Sequence, residues 1–154
     1  MIRVVVADDQ AVVRAGFRAI LESEEDIEVV AEAADGARAV DLARHTRPDL
    51  VLMDVRMPPT DGITATARLA GPDIADLIPV PIATTFDLDD DVFSALRAGA
   101  SGFVLKDIEP DDLVAAVRAV AADGGLIAPG ITRRLITEFA KSTRPAPIPL
   151  PPTP

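Results

Sequence analysis

Leu50-Val51-Leu52-Met53-Asp54, running on into Val55-Arg56-Met57-Pro58, is the stretch whose reading decides the fold. Apolar residues lead without alternation into one carboxylate, the pattern of a strand buried on both faces in a parallel sheet covered by helices. Pro58 rules out a continued central strand. Asp54 then stands at the strand's carboxyl end, where open α/β sheets place their ligands. Taken alone, the same Asp reads equally well as the start of a turn.

Outward from this stretch, apolar runs alternate with helical stripes. Ile2–Ala7 and Ile27–Ala33 read as strands, and Ala11–Glu22, with Val13, Phe17, Ile20 and Leu21 at helical spacing, as an amphipathic helix. A second helix is expected over Gly36–Ala43 and a third over Ile63–Leu69. Pro79 and Pro81 cannot donate to a ladder, so the fourth strand is expected from Ile82, or just before it, to Thr84. A fourth helix over Asp89–Ala98 ends at Gly99, a fifth strand over Gly102–Leu105 ends at Lys106, and a fifth helix covers Asp111–Ala122. Strands alternating with helices in this way predict an α/β, doubly wound five-stranded parallel sheet with five flanking helices. After Gly125 the composition shifts. Ile131–Lys141 is compatible with one short helix, and Ser142–Pro154 holds six prolines, the composition of an extended tail or linker. The expected organisation is therefore a domain over 1–122, a linker over 123–141 and a Pro-rich tail over 142–154.

Composition removes several function classes. The 154 residues include no Cys, so disulfides, thiolate metal sites and thiol nucleophiles are absent, and His45 is the only histidine. Its neighbours Arg44 and Thr46-Arg47-Pro48 mark it as a surface residue at a helix end. The net charge is −10, with 11 Lys/Arg against 23 Asp/Glu over residues 1–122. Such an acidic body is a poor surface for nucleic acid. No apolar run approaches the about 20 residues of a membrane span, and Met1–Ala7 is too short for a signal peptide before Asp8-Asp9. A soluble, cytoplasmic protein is expected.

The chemistry gathers at the strand ends. Strand one delivers Asp8 and Asp9, strand three Asp54, strand four Thr84 and strand five Lys106. Two carboxylates ~4 Å apart repel by ~4 kcal/mol at an effective dielectric near 20. Lys106 offsets one charge, so the cluster calls for a divalent cation, and few all-oxygen protein ligands suit Mg²⁺. A metal beside an Asp, a Lys and a Thr is equipment for phosphoryl transfer, with the Asp as nucleophile and the Lys and hydroxyl stabilising the equatorial oxygens. Solvated loop acids and a surface Lys are the plain alternative, and chemistry at every one of these strand ends weighs against it.

These motifs resemble the receiver domains of two-component response regulators. The resemblance rests on Asp8-Asp9, on Met53-Asp54-Val55-Arg56-Met57-Pro58 with Asp61-Gly62, on Thr84-Thr85, and on the run Gly99-Ala100-Ser101-Gly102-Phe103-Val104-Leu105-Lys106-Asp107. It covers residues 1–122. The Gly99–Phe103 run, Thr84-Thr85-Phe86-Asp87 and the Thr132–Ile136 segment look like the subfamily that usually carries a LuxR-type helix-turn-helix output domain. The resemblance implies a flavodoxin-like sheet of order 2-1-3-4-5, Asp54 as phosphoacceptor, and Mg²⁺ organised by Asp8, Asp9, Asp54 and the Arg56 backbone carbonyl. It also implies that Thr84 and Lys106 contact the phosphoryl oxygens, and that Phe103 moves inward with Thr84 on activation. A sensor histidine kinase would be the donor, with homodimerisation on phosphorylation. Pro59-Thr60 stands where the family commonly has Gly-Met, and Asp107 replaces a frequent Pro.

Other readings are weaker. A metal-dependent phosphatase of similar sheet usually has an acid two residues after its nucleophile, where Arg56 stands. A phosphorylation-independent adaptor would not need the full set of strand-end groups. A nucleotide site lacks its Gly-rich loop, since Asp9-Gln10-Ala11 follows strand one. The expected activity is therefore phosphoryl acceptance and self-dephosphorylation rather than turnover of a separate substrate. Residues 123–154 are too few for a helix-turn-helix domain, so DNA binding through this chain is not expected. A linker leading to an output domain is expected over a protein that has lost one.

Overall fold

The computed structural model describes residues 1–55, 57, 61–71, 74–84 and 90–123. The expectations for Arg56, for Pro59-Thr60, for Thr85 and Phe86, and for the linker helix and Pro-rich tail lie outside the described residues.

Five strands and five helices alternate: β1 (Ile2–Ala7), α1 (Ala11–Glu22), β2 (Ile27–Ala33), α2 (Gly36–Thr46), β3 (Leu50–Asp54), α3 (Gly62–Ala70), β4 (Pro81–Thr84), α4 (Asp90–Arg97), β5 (Gly102–Leu105) and α5 (Pro110–Asp123). The strands form one sheet of order β2-β1-β3-β4-β5, and every pairing is parallel. This is the flavodoxin-like order, with β1 and β3 side by side where the winding reverses.

The unbroken apolar run of β3 is explained by the two cores it serves. Leu50 and Leu52 enter a cluster with Phe17 and Leu21 of α1 and Val117 of α5. Val51 and Met53 enter the opposite cluster with residues of α2, α3 and α4, such as Ala39, Leu69 and Ala95. Side chains alternate across a strand, so a strand covered on both faces has no position for a polar residue until it ends. β1 divides likewise, with Val4 and Val6 on the α1/α5 face and Val5 and Ala7 on the other.

β4 begins at Pro81, one residue earlier than Ile82, and is buried throughout. The missing N–H of Pro81 falls at the strand's first position, where a central strand tolerates it. The segment before it works through its carbonyls: Pro79 O accepts from Val51 N at 2.9 Å and Val80 O from Ser101 N at 3.0 Å. α2 continues past Ala43 to Thr46, whose hydroxyl donates to Leu42 O at 2.7 Å. Arg47 then closes it in the left-handed region (φ 52), with its N–H on Ala43 O. α4 spans Asp90–Arg97, slightly shorter than expected, and the chain leaves it through Gly99 at φ 119. A Cβ on Gly99 would lie 2.1 Å from Ala70 O, so only glycine lets the ends of α3 and α4 meet so closely. None of the described helices is long and apolar enough to cross a membrane.

Candidate functional site

The parallel register brings four strand ends to one edge of the sheet. Ala7 pairs with Met53, Asp54 with Ala83, and Thr84 with Leu105. The next residues of β1 and β5, Asp8 and Lys106, therefore flank Asp54. Each continues its strand's alternation on the α1/α5 face, following Val6, Leu52 and Val104. Thr84 and Phe103 have the opposite parity and fall on the α3/α4 face, where Phe103 pairs with Ile82.

Lys106 Nζ lies 2.8 Å from Asp8 Oδ2 and 3.2 Å from Asp54 Oδ1. Asp8 is 1% exposed and Asp54 and Thr84 are 7% exposed each, so the carboxylates are largely withdrawn from water. Burial pushes the Asp54 carboxyl above its ordinary range. Lys106 pulls it back, Asp8 and Asp9 push it further, and the net direction is upward. Burial likewise pulls the Lys106 ammonium down, but Asp8 and Asp54 together outweigh it and hold its pKa above the usual value. The backbone ties the same groups together, with Lys106 N donating to Thr84 O at 2.7 Å.

Local structure fixes Asp8 from several sides. Its N–H completes the ladder on Ala33 O at 3.0 Å. Its Oδ1 accepts from Gln10 N at 2.9 Å, an Asx turn that leads into α1. Its Oδ2 is buried and receives no aligned hydrogen bond among the described residues; the Lys106 charge is near but off the hydrogen-bonding direction. Behind Asp54, α3 starts at Gly62, whose N–H donates to Val55 O at 2.8 Å. A Cβ there would stand 2.0 Å from Asp54 O, so glycine is what lets the helix sit directly on the Asp54–Val55 peptide. Asp61 caps that helix through Thr64 N at 2.8 Å.

Asp8, Asp9 and Asp54 each offer a carboxylate oxygen, all within 4.8 Å of one another. Asp8 and Asp54 are buried and Asp9 is exposed, so the trio opens to solvent on one side. An all-oxygen set that outnumbers its one ammonium, with no aligned donor on the buried Asp8 Oδ2, fits a hard divalent cation that keeps part of its water shell. The expected Arg56 carbonyl ligand lies outside the described residues. Asp8, Asp9, Asp54 and Lys106 are thus brought together as expected from their strand-end positions, with Thr84 at the adjoining strand end. Phe103 stands already inside the α3/α4 core at 1% exposure, so its ring has no further inward movement to make from this arrangement. His45 is exposed at the end of α2. Two contributions were not read from the sequence: the packing role of Gly62, which entered only as part of the Asp61-Gly62 motif, and Arg14 altogether. Gly62 was legible in principle, as a glycine at the first turn of a helix next to the key strand. Arg14 was not, because in sequence it is one more charge on an amphipathic helix.

Because burial raises the Asp54 pKa, its ionised form costs stability. The stabilising protonated state is complete below the ordinary carboxylate range and is lost as pH rises through the raised value. Asp54→Asn should therefore raise the melting temperature of the metal-free protein at neutral pH, by roughly 2–4 °C per kcal/mol of repulsion relieved. Thermal denaturation in a chelating buffer checks this, and a lower melting temperature for the variant contradicts it.

Comparison with known proteins agrees with this geometry. The response regulator receiver domain family matches residues 4–118. The transcriptional regulatory protein YxjL of Bacillus subtilis (strain 168) is 41% identical over 140 residues, covering 89% of this chain and 62% of its own length. Oxygen regulatory protein NreC of Staphylococcus carnosus (strain TM300) is 40% identical over 144 residues, covering 92% of this chain and 64% of its own. The chain thus spans under two thirds of either relative. Among solved structures, the receiver domain of the response regulator NarL from Mycobacterium tuberculosis has a TM-score of 0.73 at 36% identity, over 79% of this chain and 97% of that one. The response regulator ChrA of a heme-sensing two-component system has a TM-score of 0.74 at 38% identity, over 94% and 68%. With a sheet of order β2-β1-β3-β4-β5 and an acid trio facing a lysine at its switch point, the chain belongs to the response regulator receiver domain family.

Proposed function

We propose that the chain is a phosphorylation-controlled signalling module that takes a phosphoryl group on Asp54 from a sensor histidine kinase in the cytoplasm. The observation that carries this reading is the buried Asp54 carboxylate held 3.2 Å from Lys106 Nζ beside two further carboxylates. In the transfer, an Asp54 carboxylate oxygen attacks phosphorus, the phosphorus–nitrogen bond to the donor imidazole breaks, and the histidine nitrogen leaves with the electron pair. Asp8, Asp9 and Asp54, with the Arg56 carbonyl, would hold Mg²⁺, which supplies positive charge to the phosphoryl oxygens. Lys106 already stands against Asp54 and provides a second cation from the protein. It is pre-positioned by Asp8, so it needs no rearrangement when phosphoryl oxygens arrive. The Thr84 hydroxyl donates to a remaining oxygen. The only reactions expected are this self-phosphorylation and the later hydrolysis of the acyl phosphate.

The response reaches the α3/α4 face through Thr84, which shares that face with Phe103. Since Phe103 is already buried, phosphorylation acts by stabilising the inward arrangement against others the chain samples, a population shift rather than a new fold. The shifted face, or the α1/α5 side, then favours a homodimer. The residues after α5 carry the change to an output domain, whose role in transcription is suggested by the transcriptional regulatory protein YxjL, a relative longer than this chain.

Incubation with a small-molecule phosphodonor and Mg²⁺ should add one phosphoryl mass to the wild type, seen by intact mass spectrometry, and none to Asp54→Asn. A variant that still gains the mass removes Asp54 from this role. Beryllofluoride, a phosphoryl mimic, should move the wild type from monomer toward dimer in sedimentation velocity, with a smaller shift for Thr84→Ala. Identical sedimentation with and without the mimic refutes the signalling part.

A further inference from the structure

Arg14 lies on α1, outside the acid trio, yet its guanidinium reaches back over the β1–α1 turn. Nη1 donates to the Asp8 backbone carbonyl at 2.7 Å and Nε to Glu32 Oε1 at 3.2 Å. Its side chain is only 19% exposed. The contact continues as a chain of alternating charge. Glu32 Oε2 accepts from Arg18 Nη1 at 2.8 Å, Arg18 Nε donates to Glu22 Oε1 at 3.1 Å, and Glu22 Oε2 accepts from Val29 N at 3.3 Å. Charge pairing holds Glu32 below the usual carboxylate range, through Arg18 first and Arg14 after it. The network runs down α1 and β2 and ends on the peptide that joins Asp8 to Asp9.

We propose that Arg14, anchored by Glu32, is a positioning residue for the divalent cation: it fixes the Asp8–Asp9 peptide plane and so aims the two carboxylates. This rests on the reading of Asp8, Asp9 and Asp54 as Mg²⁺ ligands. The Asp8 N–H makes the last ladder bond of β1, and Gln10 N holds one carboxylate oxygen. Arg14 supplies the donor for the remaining backbone group, the carbonyl, whose orientation decides where Asp9 points. An ordinary exposed ion pair would leave that peptide alone and contribute little. Groups that orient metal ligands typically change metal affinity on the order of tenfold or more when removed.

The sign of the effect separates positioning from charge. Arg14 is a cation near the site, so by Coulomb repulsion alone its removal tightens Mg²⁺ binding. Loss of positioning weakens it. Mg²⁺ dissociation constants would be measured by amide chemical-shift titration at fixed ionic strength, on the full chain. The proteins compared are wild type, Arg14→Met, Arg14→Lys and Arg118→Met. Arg118 pairs with Glu24 and Asp26 away from the trio, so its loss matches the change in net charge. The expected result is on the order of tenfold weaker binding for Arg14→Met, weaker binding also for Arg14→Lys, and no weakening for Arg118→Met. Unchanged or tighter binding in Arg14→Met overturns the proposal. So does a lowered melting temperature with an unchanged dissociation constant, the mark of a merely structural role. Should Arg14→Met fail to fold, Arg14→Lys decides by the same criterion. A wild type that does not bind Mg²⁺ at Asp8, Asp9 and Asp54 overturns the metal reading and this proposal together; a wild type that binds while Arg14→Met matches it overturns this proposal alone.

Discussion

A single ammonium group, Lys106 Nζ, stands between Asp8 and Asp54, and the arrangement at the head of the sheet depends on it. Two largely buried carboxylates facing one another in a medium drier than water repel strongly, and one cation between them makes the pair tolerable. It does not balance the set, because Asp9 adds a third negative charge and Asp8 Oδ2 lacks an aligned donor. The pocket is therefore poised rather than satisfied. Three carboxylates against one ammonium leave it short of positive charge by an amount that a divalent cation would settle.

The sheet makes this possible by sorting residues according to parity. Asp8, Asp54 and Lys106 fall on the α1/α5 side and Thr84 and Phe103 on the α3/α4 side. The two buried acids and the lysine are thus separated from Phe103 by one strand thickness, with Thr84 at the strand ends and on the Phe103 side at once. α3 is locked against the Asp54 peptide at Gly62 and against the exit of α4 at Gly99. Both contacts leave no room for a methyl group, so the α3/α4 side is held at two close-packed points.

Much of this was legible in the sequence because parallel sheets have a strict grammar. β1, β2, β3 and β5 run over the residues that their apolar patterns suggest, and the strand-end rule alone assembled Asp8, Asp9, Asp54, Thr84 and Lys106. β4 was blurred because Pro79 and Pro81 remove donors, while the carbonyls of Pro79 and Val80 just before the strand still accept from Val51 and Ser101. α2 runs longer than its apolar stripe because Arg44, His45 and Thr46 stay helical without burying a face. The Arg14–Glu32–Arg18 network escaped notice for a different reason. Its members are far apart in sequence and each is ordinary for its position, so only the fold reveals that they converge on Asp8.

The central claim is that the switch-point acids are a divalent cation site completed by this chain's own strand ends. Paramagnetic relaxation by Mn²⁺, substituted for Mg²⁺ at substoichiometric amounts, tests it directly through amide line broadening. Broadening centred on Asp8, Asp9 and Asp54, competed away by Mg²⁺ and fading along β1 and β3 toward Ile2 and Leu50, is the predicted result. Broadening centred instead on another acidic stretch, such as Glu22–Glu28, with the Asp8 and Asp54 signals unchanged, would contradict the account.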